Sequence, residues 1–214
     1  MTYTSVATVI FPYGAYRRRS APLSETPTWI AMKRPKTAIA VISNCNSAYR
    51  TGVLNAIFTA IHVDVTGKCG VTRHALCDAY HIECFDELGR EYLFYLAIEN
   101  SECADYVSEK VWRNAFTSGM VPIVSSSARV RYSTVLPPHS YFDLADYDSM
   151  EKANEALQHI AVDPSLYATY HQWRREYEHV VYSNDDAADI LCEYALGHRR
   201  APMQPINVTS TRHC

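Results

Sequence analysis

The chain has 214 residues, with 48% hydrophobic and 20% charged side chains, enough to bury one substantial core, so one domain is the expected count. A formal charge of −3 and a pI near 6.3 show no basic stripe to neutralise phosphates, which argues against a nucleic-acid binder of that kind. No apolar run reaches the roughly 18 residues of a membrane span, and the N-terminus lacks the apolar block of a signal peptide.

Residues 1–36 carry several prolines and the run Arg17-Arg-Arg-Ser20, and they predict a strand followed by an irregular connection, with Arg17 to Arg19 on a loop face. The ordered domain starts near Thr37. Residues 37–43 are a β-rich apolar run, 48–60 show helical spacing through Leu54, Ile57 and Phe58, and 62–66 return to strand. Gly67 and Gly70 close this first βαβ unit.

Residues 92–98 are continuously apolar without alternation, the pattern of a strand covered on both faces. A polar elbow follows, then a helix opening on Ser108-Glu109-Lys110, a stop at Gly119 and a second short apolar strand. Residues 125–127 mark a loop. Beyond Pro137-Pro138 and Tyr141-Phe142, a helix from Glu151 presents Ala153, Ala156, Leu157 and Ile160 on one face until Asp163-Pro164 breaks it. Residues 166–181 predict a further helix in which Tyr167, Tyr170, Trp173 and Tyr177, spaced by three and four, form a core stripe. A last helix covers 185–196, stopped at Gly197, with disorder expected beyond Arg200. Alternating strands and helices imply an α/β fold built on a Rossmann-like, doubly wound parallel sheet.

Seven cysteines suit an oxidising compartment, and their odd number leaves at least one unpaired. No Cys-x-x-Cys pair occurs, which argues against a zinc site. Asn207-Val-Thr209 is a glycosylation sequon in the polar tail.

In open parallel sheets, ligands gather beyond the carboxyl ends of the strands, where free N–H groups and helix dipoles favour negative charge. Glu99, Asn100, Ser101, Tyr106, Glu109 and Lys110 all fall in such a segment. Glu109 and Lys110 are adjacent and do not face each other on a helix, which suits two groups aimed at different parts of one anionic ligand. Spacing alone also fits Glu109 as a first-turn carboxylate, Lys110 as a solvated lysine and Asn100 as a turn residue.

Taken in order, Phe94-Tyr-Leu-Ala-Ile-Glu-Asn-Ser101, Asp105-Tyr-Val-Ser-Glu-Lys-Val-Trp-Arg-Asn-Ala115 and Gly119-Met-Val-Pro-Ile-Val124 resemble the signature of the α-1,3-fucosyltransferases, glycosyltransferase family 10. Ile98 and Ser108 stand where the family has Phe and Thr. The segments Val41-Ile-Ser-Asn-Cys45 with Arg50, Val63-Asp-Val-Thr-Gly-Lys-Cys-Gly70 and Pro137-Pro-His-Ser-Tyr141 have counterparts in the same order, and the likeness runs from about residue 36 to 196. It is weak before residue 36, where Thr2-Tyr3 and Pro12-Tyr-Gly14 are similar to a family element whose middle is altered, and it is lost in the tail. The family's C-terminal Cys-x-x-Cys is reduced to Cys192, with Asp189 in the first position.

The resemblance implies the C-terminal, donor-binding half of a GT-B glycosyltransferase. Residues 1–36 would be a remnant of the N-terminal domain and its connection, 37–197 the GDP-fucose-binding domain and 198–214 a disordered tail. Arg50 and Lys110 match the family's diphosphate-binding cations; Asn100, Tyr106 and Glu109 match positions contacting the nucleotide or fucose, and Glu99 lies behind them. The implied reaction is inverting transfer of L-fucose from GDP-fucose to N-acetylglucosamine of glycoprotein N-glycans. No metal or cofactor is required, and the base belongs to an N-terminal domain expected to be missing from a truncated sequence. The implied location is the lumenal face of the Golgi cisterna membrane, through an anchor that this sequence lacks. A non-catalytic GDP-sugar-binding or interaction module derived from a fucosyltransferase is the alternative.

Overall fold

The structure, a computed structural model, describes residues 11–25, 34–70 and 83–197. Five parallel strands, β2 (Lys36–Val41), β3 (Val63–Thr66), β4 (Tyr92–Leu96), β5 (Val121–Val124) and β6 (Phe142–Asp143), make one sheet in the order β3-β2-β4-β5-β6. The register pairs Ile39 with Asp64 and Tyr95, Phe94 with Val121, and Ile123 with Phe142. The strand order reverses between β2 and β4: the chain leaves β2 towards β3 on one side and β4 towards β5 on the other. That divergence opens a crevice beyond the carboxyl ends of β2 and β4, the usual ligand position in doubly wound sheets.

The sheet is covered on both faces. On one, Phe94, Leu96 and Ile123 pack with Leu54 and Ile57 of α1 (Ala48–Ala60) and with Leu157 and Ile160 of α3 (Met150–Val162). On the other, Tyr95 and Val124 pack with Phe85 and Leu88 of α2 (Glu83–Glu91) and with Val111, Trp112 and Phe116. Burial on two sides explains the uninterrupted apolar run of β4, whose five residues are all buried. Helix α1 spans the predicted residues; α2 has no counterpart in the sequence-based expectation.

The predicted 166–181 helix is three elements instead. Asp163 caps α4 (Pro164–Thr169), accepting from the N–H groups of Ser165 and Leu166 at 2.8 and 3.1 Å. A short 3-10 turn at Gln172–Arg175 follows, and β7 (Tyr177–Val181) is a strand. The cause is a remote partner: β1 (Gly14–Arg18) pairs antiparallel with β7, setting Arg17 opposite Glu178 in a 2.7 Å ion pair. Arg17 and Arg18 therefore lie on a strand rather than a loop face, with Arg19 just past its end. Trp173 and Tyr167 remain core residues, as the stripe predicted.

Helix α5 (Asn184–Ala195) starts in a capping box between Ser183 and Asp186 and stops at Gly197, whose φ of 75° is the left-handed conformation glycine adopts without penalty. Cys45 and Cys69 form a disulfide, Cys84 and Cys103 are also disulfide-bonded, and Cys192 is free and exposed. The expected tail disorder, the Asn207 sequon, and the first ten residues lie outside the described residues.

Candidate functional site

Two elbows border the crevice, residues 42–47 after β2 and 97–109 after β4. Ser47 caps α1: its hydroxyl accepts from the Arg50 N–H at 3.2 Å and donates across the crevice to the Asn100 carbonyl. The buried Arg50 guanidinium donates to the Asn44 carbonyl and to Asn100 Oδ1, so it bridges the two elbows. Burial pulls its pKa down, opposed by the charges of Glu99, Tyr95 and Tyr106.

Glu99 is the hub of the second elbow. Only 3% exposed, it accepts from the Ser108 N–H at 2.7 Å, the Ser108 hydroxyl at 2.8 Å and Lys110 Nζ at 2.9 Å. Lys110 Nζ also donates to Ser108 Oγ at 2.9 Å and reaches Glu109 Oε1 only at 3.5 Å. Neighbours Glu109 and Lys110 thus come within a long contact, but the close charged partner of Lys110 is Glu99. Burial raises the Glu99 pKa, opposed by Lys110 and the Ser108 bonds. Burial works against the Lys110 ammonium, but Glu99 and Glu109 outweigh it, so its pKa is raised and it stays protonated.

The helix from Lys110 to Thr117 is a π-helix with Lys110, Val111, Trp112, Asn114, Ala115 and Phe116 buried. Its wide turn is a geometry found frequently at functional sites. Asn114 Nδ2 donates at 3.1 Å to the Tyr95 hydroxyl, whose pKa burial raises to about 12. Asp105 adopts φ 63°, a left-handed conformation that Asp tolerates better than most residues, immediately before Tyr106. The Tyr106 ring meets Tyr13, just ahead of β1, edge-on with centroids 6.2 Å apart. Tyr132, beyond β5, is buried near Glu99 and Tyr49, and burial holds its hydroxyl well above the usual range.

Arg50, Glu99, Asn100 and Lys110 are therefore brought together around one crevice, with Tyr106 in electrostatic reach of Arg50 and Glu109 half-exposed at the rim. The sequence reading passed over Asn44, Ser47 and Ser108 as parts of the network. Ser47, directly ahead of an apolar helical pattern, carried an N-cap signal that could have marked it. Among the described residues no group of three or more His, Cys, Asp or Glu could hold a metal ion.

A parallel doubly wound sheet flanked by helices is a Rossmann-like α/β domain, and its solved neighbours share that fold with one half of a GT-B architecture. A crystal structure of an α1,3-fucosyltransferase with GDP-fucose superposes with a TM-score of 0.57 at 19% identity, covering 86% of this chain and 51% of that one. The family model for glycosyltransferase family 10 (fucosyltransferase), C-terminal part, matches residues 31–206. The chain belongs to that family. It is 31% identical over 220 residues to alpha-(1,3)-fucosyltransferase C of Drosophila melanogaster, covering 93% of this chain and 50% of that protein. It is also 32% identical to alpha-(1,3)-fucosyltransferase 4 of Bos taurus, covering 90% and 48%. The chain thus spans about half the length of these relatives.

Proposed function

We propose that this chain supplies the donor-binding half of an inverting α-1,3-fucosyltransferase that moves L-fucose from GDP-fucose to N-acetylglucosamine of glycoprotein N-glycans. One observation carries the reading: Arg50 and Lys110, 60 residues apart in sequence and each in the helix that follows one of the elbows, flank the β2/β4 reversal with Asn100 and Glu99 between them. Cleavage of the bond between fucose and GDP builds negative charge on the departing diphosphate, and preorganised cations in a crevice stabilise it without reorganising solvent. The long 3.5 Å contact from Lys110 to Glu109 is the one a phosphate oxygen would replace, leaving the shorter bonds to Glu99 and Ser108 as its support. The Tyr106 ring and the half-exposed Glu109 carboxylate are assigned to the nucleoside and the sugar.

An inverting transfer needs a carboxylate base on the face opposite GDP. Glu99 is consumed by its bonds to Ser108 and Lys110, and we assign no residue of this chain to the base. The reading extends to a lumenal location at the Golgi cisterna membrane, by family membership; no described helix is long and apolar enough to cross a membrane.

Calorimetry with GDP tests the donor site. Charge-assisted hydrogen bonds contribute about 1.5–3 kcal/mol, so Arg50→Ala and Lys110→Ala should each weaken GDP binding roughly 10- to 150-fold. Absence of GDP affinity in the unaltered protein, or unchanged affinity in both variants, overturns the assignment. Labelled fucose transfer to an N-glycan then separates an enzyme from a donor-binding module, and these 214 residues alone are expected to bind without turning over.

A further inference from the structure

The Cys45–Cys69 disulfide lies in the first elbow, one residue from the carbonyl that holds Arg50. Between β2 and α1 the chain is tied down almost residue by residue. Ile42 N–H donates to the Thr66 carbonyl at 2.9 Å, and the Cys69 N–H donates to the Ile42 carbonyl at 2.9 Å. Asn44 accepts from Arg50 through its carbonyl and from the Asn46 N–H at 3.1 Å through its side chain. Ser47 bonds to Asn100.

The backbone ties at Ile42 fix the start of the elbow to the β3 side, and Ser47 fixes its end to the β4 side. Among the described contacts, only the disulfide anchors the middle of the elbow to the segment after β3. Gly67 enforces the approach of that segment: it has φ 86°, and a Cβ there would stand 2.9 Å from the Ile42 carbonyl oxygen. Without the covalent tie, residues 43–46 could rotate about their two ends, taking the Asn44 carbonyl away from the guanidinium. Arg50 is an always-charged fork whose aim depends on such fixed acceptors.

We propose that the Cys45–Cys69 disulfide is a positioning element of the donor site, acting through the Asn44 carbonyl to hold Arg50 in line with the diphosphate. This inference rests on the donor-site reading above. It predicts a coupling between two features that a purely stabilising cross-link would not show, since a cross-link that only constrains the unfolded chain changes stability without regard to which cation is present.

The test is a double-mutant cycle read by calorimetry on the full chain: the unaltered protein, Cys45→Ala/Cys69→Ala, Arg50→Ala and the triple variant, each titrated with GDP and with inorganic pyrophosphate. Removing the disulfide should weaken both ligands about tenfold when Arg50 is present and less than twofold when it is absent. A wild-type protein that binds GDP, with equal losses in both backgrounds or no loss in either, overturns the positioning role while leaving the donor site standing. A wild-type protein that does not bind GDP overturns the donor site itself, and the inference with it.

A second measurement does not depend on the variants folding. By linkage, GDP must shift the thiol–disulfide equilibrium of Cys45 and Cys69 towards the disulfide by the same factor. In glutathione buffers of graded poise, mass spectrometry of alkylated wild-type protein should show about a tenfold shift with GDP or pyrophosphate and none with guanosine. An unshifted equilibrium at saturating GDP overturns the proposal.

Discussion

Glu99 offers the sharpest energetic test, because one buried carboxylate holds two kinds of partner. It satisfies both polar groups of Ser108 and neutralises a lysine whose side chain is only 9% exposed. Glu99→Ala removes the acceptor and leaves the ammonium buried on the neutral Ser108 Oγ at 2.9 Å, with Glu109 at 3.5 Å as its remaining charged contact. Breaking a buried pair from one side costs about 3–5 kcal/mol. For a chain of this size each kcal/mol moves the melting temperature by about 2–4 °C, so thermal unfolding should shift down by roughly 6–20 °C. The double variant Glu99→Gln/Lys110→Met separates the two roles. Its amide carbonyl can still accept from the Ser108 N–H, its NH2 can donate to Ser108 Oγ, and no charge is left behind. We expect stability within about 2 kcal/mol of the unaltered protein, because an apolar replacement for a buried pair is often neutral. GDP binding should nevertheless weaken by at least the roughly 10- to 150-fold expected for Lys110→Ala. If Glu99→Ala melts within 2 °C of wild type, or the double variant is no more stable than the single one, the buried-pair argument fails.

The partly buried His179 ring packs edge-on against Phe116 and Trp173, with Thr117 Oγ1 3.2 Å from Nε2, and desolvation followed by the Arg174 and Arg19 charges lowers its pKa to about 4. The folded state then binds fewer protons than the unfolded one between about pH 6.5 and 4, so stability is present above that window and falls as the pH drops through it. Linkage puts the loss at about 2 kcal/mol between pH 7 and 5, measurable by urea unfolding; His179→Gln should flatten that slope, and an unchanged slope would falsify the assignment. Two glycines should respond oppositely to alanine. At Gly14 a Cβ would stand 2.4 Å from Trp112 Cγ and 2.7 Å from the Val180 carbonyl oxygen, so Gly14→Ala should cost about 1–3 kcal/mol by overpacking. Gly52 lies inside α1 with open space where a Cβ would go, and Gly52→Ala should stabilise by about 0.5–1 kcal/mol in the same melts; the reverse order would discredit the packing around Trp112.

Where neighbours in sequence decide the conformation, the elements were legible. The apolar spacing of 48–60 matched α1, and the unbroken apolar run at 92–98 contains β4, which ends two residues earlier at Leu96. Asp163 behaved as the break that Asp-Pro announces, because its carboxylate caps the next helix. The failure at 166–181 is equally instructive. Tyr167 and Trp173 are buried as a helical stripe would require, but Tyr177 is recruited by β1, and a pairing partner some 160 residues away leaves no trace in local periodicity. Within the site, the charged residues stood out by type, whereas the geometry that orients them did not. The Asn44 carbonyl is a backbone group, invisible to any reading of side chains, and the closeness of Glu99 to Lys110 depends on the π-helical turn that starts beyond Glu109.

The ribbon of β1 and β7 has a kinetic consequence. Arg17 and Glu178 are 161 residues apart, and closing a chain of that length costs about 4.5 kcal/mol in configurational entropy before a single contact is gained. Its register brings Tyr13 to Tyr106 and seats Gly14 against Trp112, so its contacts with the rest of the chain need the helix after β4 already in place. Refolding should therefore show the sheet protected from hydrogen exchange first and residues 14–18 last, with nucleotide affinity recovering in the slower phase.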